Sequence, residues 1–368
     1  MLRTSAPGTP DDLREGMAGS KSGDRVRVAL GGLGTIGGSV ARLLVDHRVD
    51  VDVVAAATQN PGDIGRYLKD VAGTSGNGPQ VVGSLAEMLR PHPDVVILAT
   101  GSFISDALPL VLECVEAGAN VISPCEQLAY PFRRFPKESA AIDEAARARN
   151  VTVLGTGINP GLIFDALVAA ASGACWDVTS IRGRRVVDTT GFGENIHHRL
   201  GIGYTAEEFD EGRRTKRIAG HVGFPESIEM VCERLGISLD GPVEESLEPL
   251  IAKTPAPTKY GAVPAGSTEG LIQRALGRVK GAEFMQLELV LHLRPKESGF
   301  VPVDTFTIDG RYPVHLTLDP GLDPVPATAA QLVNSIPAVL RAEAGLKTVK
   351  DIPAPAAWLG DLAGVGLR

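Results

Sequence analysis

Two short sequence patterns contain residues whose types and spacing are suited to binding a cofactor or to catalysis. The first, Gly32-x-Gly34-x-x-Gly37, follows a β-branched run at residues 25–30 and precedes a helical apolar period at residues 39–45. In this setting the first glycine allows a tight turn, the second leaves room beside a pyrophosphate, and the third lets the helix approach the strand. The unpaired N–H groups at the start of the helix favour phosphate binding. The pattern therefore predicts a dinucleotide-binding turn.

The second pattern places a carboxylate where a doubly wound sheet binds its ligands. Glu126 follows a predicted strand at residues 120–123, at the carboxyl edge of the sheet. Its neighbours Pro124, Leu128 and Tyr130 leave it poorly solvated. Because desolvation raises a carboxylate's pKa, this position suits proton exchange near neutral pH. From the residues alone, an exposed or helix-capping glutamate is an equally good interpretation.

The elements that position these residues alternate between strand and helix over about 130 residues. We expect strands at residues 25–30, 51–57, 94–100, 120–123 and 151–154, with helices at 39–45, 84–89, 104–117 and 137–149. Parallel strands joined by right-handed helical crossovers form a sheet that is covered on both faces. The fold class predicted is α/β, a Rossmann doubly wound parallel sheet.

The pattern changes after residue 160, and this change predicts a second, α+β domain. A helix at 162–171 and strands at 178–187, 284–293 and 300–308 indicate an antiparallel sheet that serves the substrate and dimerisation. An alanine-rich helix at 327–342 is expected to return to the first domain. The predicted organisation is a disordered arm at 1–24, a Rossmann domain at 25–160, the α+β domain at 161–325 and the returning segment at 326–368.

Composition excludes several other classes of protein. The 368 residues carry 36 Lys and Arg against 44 Asp and Glu, a net charge of −8, which argues against nucleic-acid binding. The apolar runs are far shorter than the roughly 20 residues that span a bilayer, and we expect no secretory signal. The four cysteines are widely separated, which favours a reducing cytoplasm over disulfides or a metal site.

The cofactor preference follows from the residues after the second strand. That strand ends in Ala57-Thr-Gln-Asn60 without the carboxylate that binds the ribose of NAD, so we expect NADP with NAD tolerated. Arg66 is a possible partner of a 2′-phosphate. The predicted cofactor contacts are Gly32, Gly34, Thr35, Ile36, Gly37, Thr58, Asn60, Thr100, Gly101 and Asn159.

Several further residues are candidates with a structural alternative. Asn159 could both cap the helix at 162–171 and contact the nicotinamide. For the substrate pocket the candidates are Tyr130, His197, His198 and His221, although an exposed loop or a hydrogen-bonded structural role is an open alternative for the histidines. Arg182, Arg184 and Arg185 could hold a substrate carboxylate or form interdomain ion pairs.

The order and spacing of these motifs resemble the dihydrodipicolinate-reductase-like superfamily. Within it the chain is most similar to 2,4-diaminopentanoate dehydrogenases and native amine dehydrogenases. The motifs that carry the resemblance are Cys125-Glu-Gln-Leu-Ala-Tyr-Pro131, Gly155-Thr-Gly-Ile-Asn-Pro-Gly161, Arg185-Val-Val-Asp188, Gly220-His-Val-Gly-Phe-Pro-Glu-Ser227 and Val333-Asn-Ser-Ile-Pro337. The resemblance implies that Glu126 is the catalytic acid or base.

The resemblance also implies NAD(P)-dependent oxidative deamination of an amine, or the reverse reductive amination of a ketone with ammonia. It further implies a homodimer. The segment around His197 and His198 lacks the lysine and the Ser-Gly-Thr loop of dihydrodipicolinate reductases. A reductase of that imine type remains the alternative enzyme, and a non-catalytic NADP sensor is the alternative from another class.

Overall fold

The structure is a computed structural model and describes residues 25–48 and 50–357. The predicted arm at residues 1–24 lies outside these described residues. Within them, the helices are too short or too polar for any one of them to cross a membrane.

The first sheet has seven strands in the order β15-β6-β5-β4-β1-β2-β3, and every pairing in it is parallel. The strands are β1 Val26–Gly31, β2 Val51–Ala57, β3 Val81–Val82, β4 Val95–Leu98, β5 Asn120–Ser123, β6 Thr152–Gly155 and β15 Gly345–Lys347. Strands β4 and β6 are buried along their whole length, because helices cover both faces of the sheet. The predicted α/β fold class is confirmed.

Five helices connect these strands. They are α1 Thr35–His47, α2 Leu68–Ala72, α3 Leu85–Leu89, α4 Ile104–Glu116 and α5 Pro136–Ala148. Two apolar cores result, one on each face of the sheet. The sequence pattern missed α2 and β3, because both are too short to show a period.

The second sheet has six strands in the order β14-β13-β7-β12-β11-β8. The strands are β7 Ser180–Asp188, β8 Glu244–Ile251, β11 Thr268–Val279, β12 Ala282–His292, β13 Asp304–Asp309 and β14 Val314–Leu318. The expectation of an antiparallel sheet is wrong at one pairing, since β7 and β12 run parallel. A two-stranded hairpin, β9 Ala256–Thr258 and β10 Gly261–Val263, stands beside this sheet.

Four helices accompany the second sheet: α6 Ala166–Ser172, α7 Glu194–Arg199, α8 Ala206–Arg214 and α9 Phe224–Arg234. Helix α6 begins at Ala166 rather than at residue 162, and its cap is Asp165, whose carboxylate accepts a hydrogen bond from Ala166 N at 2.9 Å. The expectation that Asn159 caps this helix is therefore wrong. Helix α7 lies in a segment for which the sequence pattern predicted neither a helix nor a strand.

The segment after the second sheet returns to the first. Helix α10 Pro324–Asn334 packs against α1, and its apolar face joins the core of the first sheet through Ala329, Leu332 and Val333. One helix was expected at residues 327–342. The structure has two, because Pro337 starts a new helix, α11 Ile336–Arg341, after Ser335. Strand β15 then adds an edge to the first sheet.

Candidate functional site

The turn between β1 and α1 has the geometry that a dinucleotide needs. Gly32 has a φ of +86°, and a Cβ there would lie 2.4 Å from Ala99 O. A Cβ at Gly37 would lie 1.9 Å from Gly32 O, which shows how closely the helix approaches the turn. A Cβ at Gly34 would meet nothing within 4 Å. The first turn of α1 carries no acidic residue and no side-chain cap, so its N–H groups remain available for phosphate.

Glu126 lies in a 3-10 turn, Glu126–Leu128, directly after strand β5. Gln127 ties this turn to the loop after β4, because its side chain accepts a hydrogen bond from Ile104 N at 2.9 Å and its N–H donates to Ser102 O. Below the turn, a Cβ at Gly155 would lie 2.3 Å from Leu128 O. Packing on both sides thus fixes the backbone that presents the Glu126 carboxylate.

The loop that follows β6 is braced by one buried carboxylate. Asp165 accepts hydrogen bonds from Gly161 N at 2.5 Å and from the hydroxyl of Ser227 at 3.1 Å. Burial raises the pKa of Asp165 to about 6, although these hydrogen bonds oppose the shift. Asn159 lies in the same loop, next to a cis Pro160, and its Oδ1 is buried without a hydrogen-bond partner in the described structure. The loop therefore presents an unsatisfied polar atom.

A second loop, residues 220–223, reaches from the second domain to this same place. The side-chain amide of Gln273 accepts from His221 N at 2.7 Å and donates to His221 O at 2.8 Å. Gly223 has a φ of +115°, and a Cβ there would lie 2.5 Å from Pro160 Cδ and 3.1 Å from Glu126 Cβ. Glycine at this position thus brings His221 close to Glu126.

A cleft of about 420 Å³ lies between the two domains. It is lined by residues of the glycine turn, the loops after β4, β5 and β6, helix α7, strands β7 and β12, and the start of α10. Its apolar wall is formed by Val187, Phe192, Ile196, Leu200, Leu289 and Leu291. Its polar lining includes Thr100, Ser102, Glu126, Asn159, Arg185, Arg199, His221 and Thr328. An apolar cleft with a few convergent polar groups is typical of a small-molecule site.

Burial shifts the two titratable groups of the cleft in opposite directions. It raises the pKa of Glu126 to about 7, and its own backbone, the Ser102 hydroxyl and the Arg199 charge only partly oppose this. Burial lowers the pKa of His221 to about 3, and the nearby Arg185 charge adds to the effect. Near pH 7, Glu126 therefore exchanges protons readily, whereas His221 is a neutral imidazole.

The cleft lining contains nine of the residues that the sequence analysis names as site candidates. These are Gly34, Thr35, Ile36, Thr100, Gly101, Glu126, Asn159, Arg185 and His221. Gly32 and Gly37 belong to the turn and allow its close backbone contacts, but they do not line the cleft. Thr58 and Asn60 stand apart, at the carboxyl end of β2.

Three proposed pocket residues lie elsewhere. Tyr130 is buried in the core of the second domain and stacks edge-on against Phe132. His197 is buried with its Nε2 2.8 Å from Thr189 O, and His198 is exposed. The segment is a helix rather than an extended chain, so its cleft-facing positions are Ile196, Arg199 and Leu200. The sequence analysis misjudged the face because it did not predict helix α7.

The three arginines of strand β7 differ in burial and in their ion-pair partners. Arg185 is fully buried, with its Nε 2.9 Å from Asp304 Oδ1. Arg182 and Arg184 form exposed ion pairs with Asp309 and Glu288. All three pairs lie within the second domain, so the interdomain ion pairs considered from the sequence do not form.

The structure also brings in residues that the sequence analysis did not single out for the site: Gln127, Asp165, Phe192, Arg199, Gln273 and Thr328. They contribute through contacts distant in sequence, for which a single chain carries no local signal. Across residues 25–48 and 50–357 there is no group of three or more His, Cys, Asp or Glu side chains that could hold a metal ion.

A Rossmann sheet, a phosphate-binding glycine turn and an acid in the adjoining cleft together define a dinucleotide-dependent oxidoreductase. Comparison with known proteins identifies its family. The family description 2,4-diaminopentanoate dehydrogenase C-terminal domain matches residues 162–366. The 2,4-diaminopentanoate dehydrogenase of Acetoanaerobium sticklandii is 34% identical over 341 residues, which cover 92% of this chain and 96% of that protein.

Solved structures agree on the fold. An amine dehydrogenase from Mycobacterium smegmatis superimposes with a TM-score of 0.81 at 24% identity, covering 91% of this chain and 98% of that one. GenD2 from gentamicin A biosynthesis, solved in complex with NAD, has a TM-score of 0.50 at 16% identity, covering 90% and 91%. The chain belongs to the 2,4-diaminopentanoate dehydrogenase family. It is an enzyme, an NAD(P)-dependent amine oxidoreductase, as the sequence resemblance predicted.

The glycine turn yields a direct prediction about cofactor binding. In Gly34→Val the new side chain enters the open space beside the turn, and the backbone there, with a φ of −68°, accepts it without strain. We expect the protein to fold normally and to bind NADPH at least about tenfold more weakly, a loss of about 1.4 kcal/mol. Fluorescence titration with NADPH measures this.

Gly241→Val is the matched control, since Gly241 also faces open space and lies outside the cleft. Equal NADPH affinity in Gly34→Val and the wild type would show that the dinucleotide does not lie over this turn.

Proposed function

We propose that this enzyme oxidatively deaminates a primary amine on a short aliphatic chain, and catalyses the reverse amination of a ketone with ammonia. The observation that carries the proposal is the partly buried Glu126 carboxylate in the cleft that also holds the glycine turn. The relative from Acetoanaerobium sticklandii is named for 2,4-diaminopentanoate. The apolar wall of Val187, Leu289 and Leu291 suits an aliphatic substituent on the amine carbon.

The nicotinamide cofactor, when bound, supplies hydride transfer. The glycine turn would hold its pyrophosphate, and the loop with Asn159 would contact its nicotinamide end, where the unpaired Oδ1 can accept a hydrogen bond from a carboxamide. Overall, the amine and water yield the ketone and an ammonium ion, and two electrons leave as hydride.

Glu126 is the proposed acid and base of this reaction. As a carboxylate it removes a proton from the substrate ammonium, because an amine carbon loses hydride only once the nitrogen has a free electron pair. After Glu126 has released that proton to solvent, its carboxylate can take a proton from the water that attacks the imine and pass it to the nitrogen, which then leaves as ammonia. The neutral His221 lies across the cleft, where its unpaired Nε2 can hydrogen-bond the substrate nitrogen or that water.

Glu126→Gln tests the acid–base role, since the amide keeps the shape of the side chain but exchanges no proton. We expect turnover to fall at least about 100-fold with cofactor affinity unchanged. In the wild type, amine oxidation should rise with pH through about 7 as Glu126 loses its proton, and reductive amination should fall over the same range. Steady-state rates from pH 5 to 9 measure both, and the Glu126→Gln profiles should lack this step.

Glu194→Gln provides the control, because Glu194 is an exposed glutamate on helix α7 outside the cleft lining. Near-normal turnover in a folded, cofactor-binding Glu126→Gln protein would remove the proposed role. NADPH consumption with a ketone must also require ammonia. Activity confined to a cyclic imine dicarboxylate would support the imine reductase instead, and binding without turnover would support the sensor.

For the cofactor we propose a preference for NADP, with NAD tolerated. The carboxyl end of β2 offers the Thr58 hydroxyl and the Asn60 amide rather than a carboxylate. Arg66 follows in the same loop, where Asp63 holds both the Asn60 amide, at 2.6 Å, and the Arg66 guanidinium, at 3.0 Å. The Arg66 side chain is exposed, so it can move to pair with a 2′-phosphate.

Two substitutions should shift this preference in opposite directions. Arg66→Ala removes the cation and should lower the NADPH-to-NADH ratio of kcat/KM about tenfold, the size of a charge-assisted hydrogen bond. Asp63→Asn removes the competing carboxylate charge and should raise the same ratio. Unchanged ratios in both variants would contradict the assignment of this loop to the 2′-phosphate.

We also propose that the enzyme is a homodimer of the cytoplasm. Arg184, Arg274 and Glu288 form a connected set of ion pairs on a solvent-accessible face of the second sheet, a large polar surface on which a second copy can dock. The free cysteines support a reducing compartment.

Sedimentation equilibrium tests the dimer. We expect a mass of twice 38.5 kDa at micromolar concentration. Arg184→Glu should yield the monomer, because it places like charges across the face, whereas Arg213→Glu on the exposed surface of helix α8 should not. A monomeric wild type would contradict the proposal.

A further inference from the structure

A buried ion pair joins the two domains beside the loop at residues 220–223. Arg134 lies in the first domain, between the Glu126 turn and helix α5, and Glu226 lies in the first turn of helix α9. Arg134 Nη1 is 2.7 Å from Glu226 Oε1. The Glu226 side chain is 0% exposed and that of Arg134 is 35% exposed. The arginine therefore reaches from the surface to an acid that water does not contact.

The ion pair connects two segments of backbone that also meet at Glu126. Gly223 directly precedes helix α9, and a Cβ there would lie 3.1 Å from Glu126 Cβ. Arg134 follows Glu126 in the same connection between β5 and α5. The charge-assisted hydrogen bond between Arg134 and Glu226 thus ties the start of α9, and with it Gly223, to the segment that carries Glu126.

The surroundings of Glu226 make this tie its main compensation for burial. The titratable and charged groups around the pair are Glu229 on α9, Glu245 on β8, Arg133 next to Arg134, and Cys125 before the Glu126 turn. Glu226 Oε2 and Glu229 Oε2 are buried without a hydrogen-bond partner among residues 25–48 and 50–357. Burial raises the pKa of Glu226 to about 7, and the Arg134 charge opposes this while the Glu229 charge adds to it. Removal of either partner of such a pair is therefore costly.

We propose that Glu226 is a positioning residue: paired with Arg134, it holds the loop at residues 220–223 against Glu126 and so keeps water away from the catalytic carboxylate. Glu226 is not part of the cleft lining, so it acts through this loop rather than on the substrate. The inference rests on the proposed acid–base role of Glu126, and it assigns the control of that role to an ion pair outside the cleft.

Four variants isolate the ion pair. Glu226→Ala and Arg134→Ala each sever it, and Arg134→Ala removes a partly exposed side chain, which the fold tolerates more easily. Glu226→Gln removes the charge but keeps an oxygen that accepts the hydrogen bond from Arg134. Glu116→Ala is the matched control, because it severs an exposed ion pair with Arg149 inside the first domain.

The first measurement is alkylation of Cys125 by N-ethylmaleimide, followed by peptide mass spectrometry. Cys125 directly precedes Glu126 and is 1% exposed, and burial raises the pKa of its thiol to about 12, so it reacts slowly. We expect labelling at least about tenfold faster in Glu226→Ala and Arg134→Ala, and near the wild-type rate in Glu226→Gln and Glu116→Ala. Cys114, buried in the core of the first sheet, should keep its wild-type rate in all four.

The second measurement is the pH dependence of amine oxidation. Water that reaches Glu126 lowers its pKa from about 7 toward its ordinary value, so the step should move down by roughly one pH unit in the two alanine variants. It should stay near 7 in Glu226→Gln and Glu116→Ala. A purely structural role of Glu226 would lower the thermal stability of the alanine variants and leave the step in place.

Wild-type labelling of Cys125 in both alanine variants overturns the inference. Equal acceleration at Cys114 and Cys125 also overturns it, since it indicates general destabilisation, and so does an unmoved pH step in variants that label faster. A wild type without the step, or a Glu126→Gln protein that retains it, removes the proposed acid–base role instead. Labelling of Cys125 needs no turnover, so it still decides whether the ion pair holds the loop against Glu126.

Discussion

The close contact of Gly223 with Pro160 and Glu126 is the constraint on which the rest of the site depends. Any side chain at Gly223 would overlap the Pro160 ring and crowd the glutamate. Through this contact, a loop of the second domain is packed directly against the carboxyl edge of the first sheet. Asp165 reinforces the junction, since it binds the loop of Pro160 on one side and Ser227 of helix α9 on the other. The two domains are therefore packed tightly together at the proposed site of the chemistry.

This junction between the domains also shifts the pKa values of Glu126 and His221. It removes water from Glu126 and from His221 together, and the same desolvation acts oppositely on an acid and on a base. The pKa of the glutamate rises to about 7 and that of the imidazole falls to about 3. The ordinary order of the two pKa values is thus reversed, so that the carboxyl group can exchange protons near pH 7 while the imidazole stays neutral. A looser contact between the domains would return both groups toward their ordinary behaviour.

The sequence predicted the parts of the site that depend on local rules. The glycine spacing with its flanking strand and helix located the turn at Gly32–Gly37, and the end of β5 located Glu126, because parallel strands all deliver their carboxyl ends to one edge. The second domain was harder to predict. The positions of Arg199, Gln273 and Asp165 are set by contacts between segments far apart in the chain, and the short helix α7 has no period long enough to reveal which face meets the cleft. The sequence analysis proposed His197 and His198 for the pocket, whereas the helix directs Ile196, Arg199 and Leu200 to the cleft.

The nucleotide-binding domain is not continuous along the chain. Helix α10 packs behind the glycine turn and contributes Pro324 and Thr328 to the cleft, and β15 closes the sheet beside β6. During synthesis, a nascent polypeptide that has emerged only as far as residue 323 still lacks a wall of its nucleotide site and exposes apolar surface on α1. The complete nucleotide site therefore exists only after the whole second domain has been synthesised.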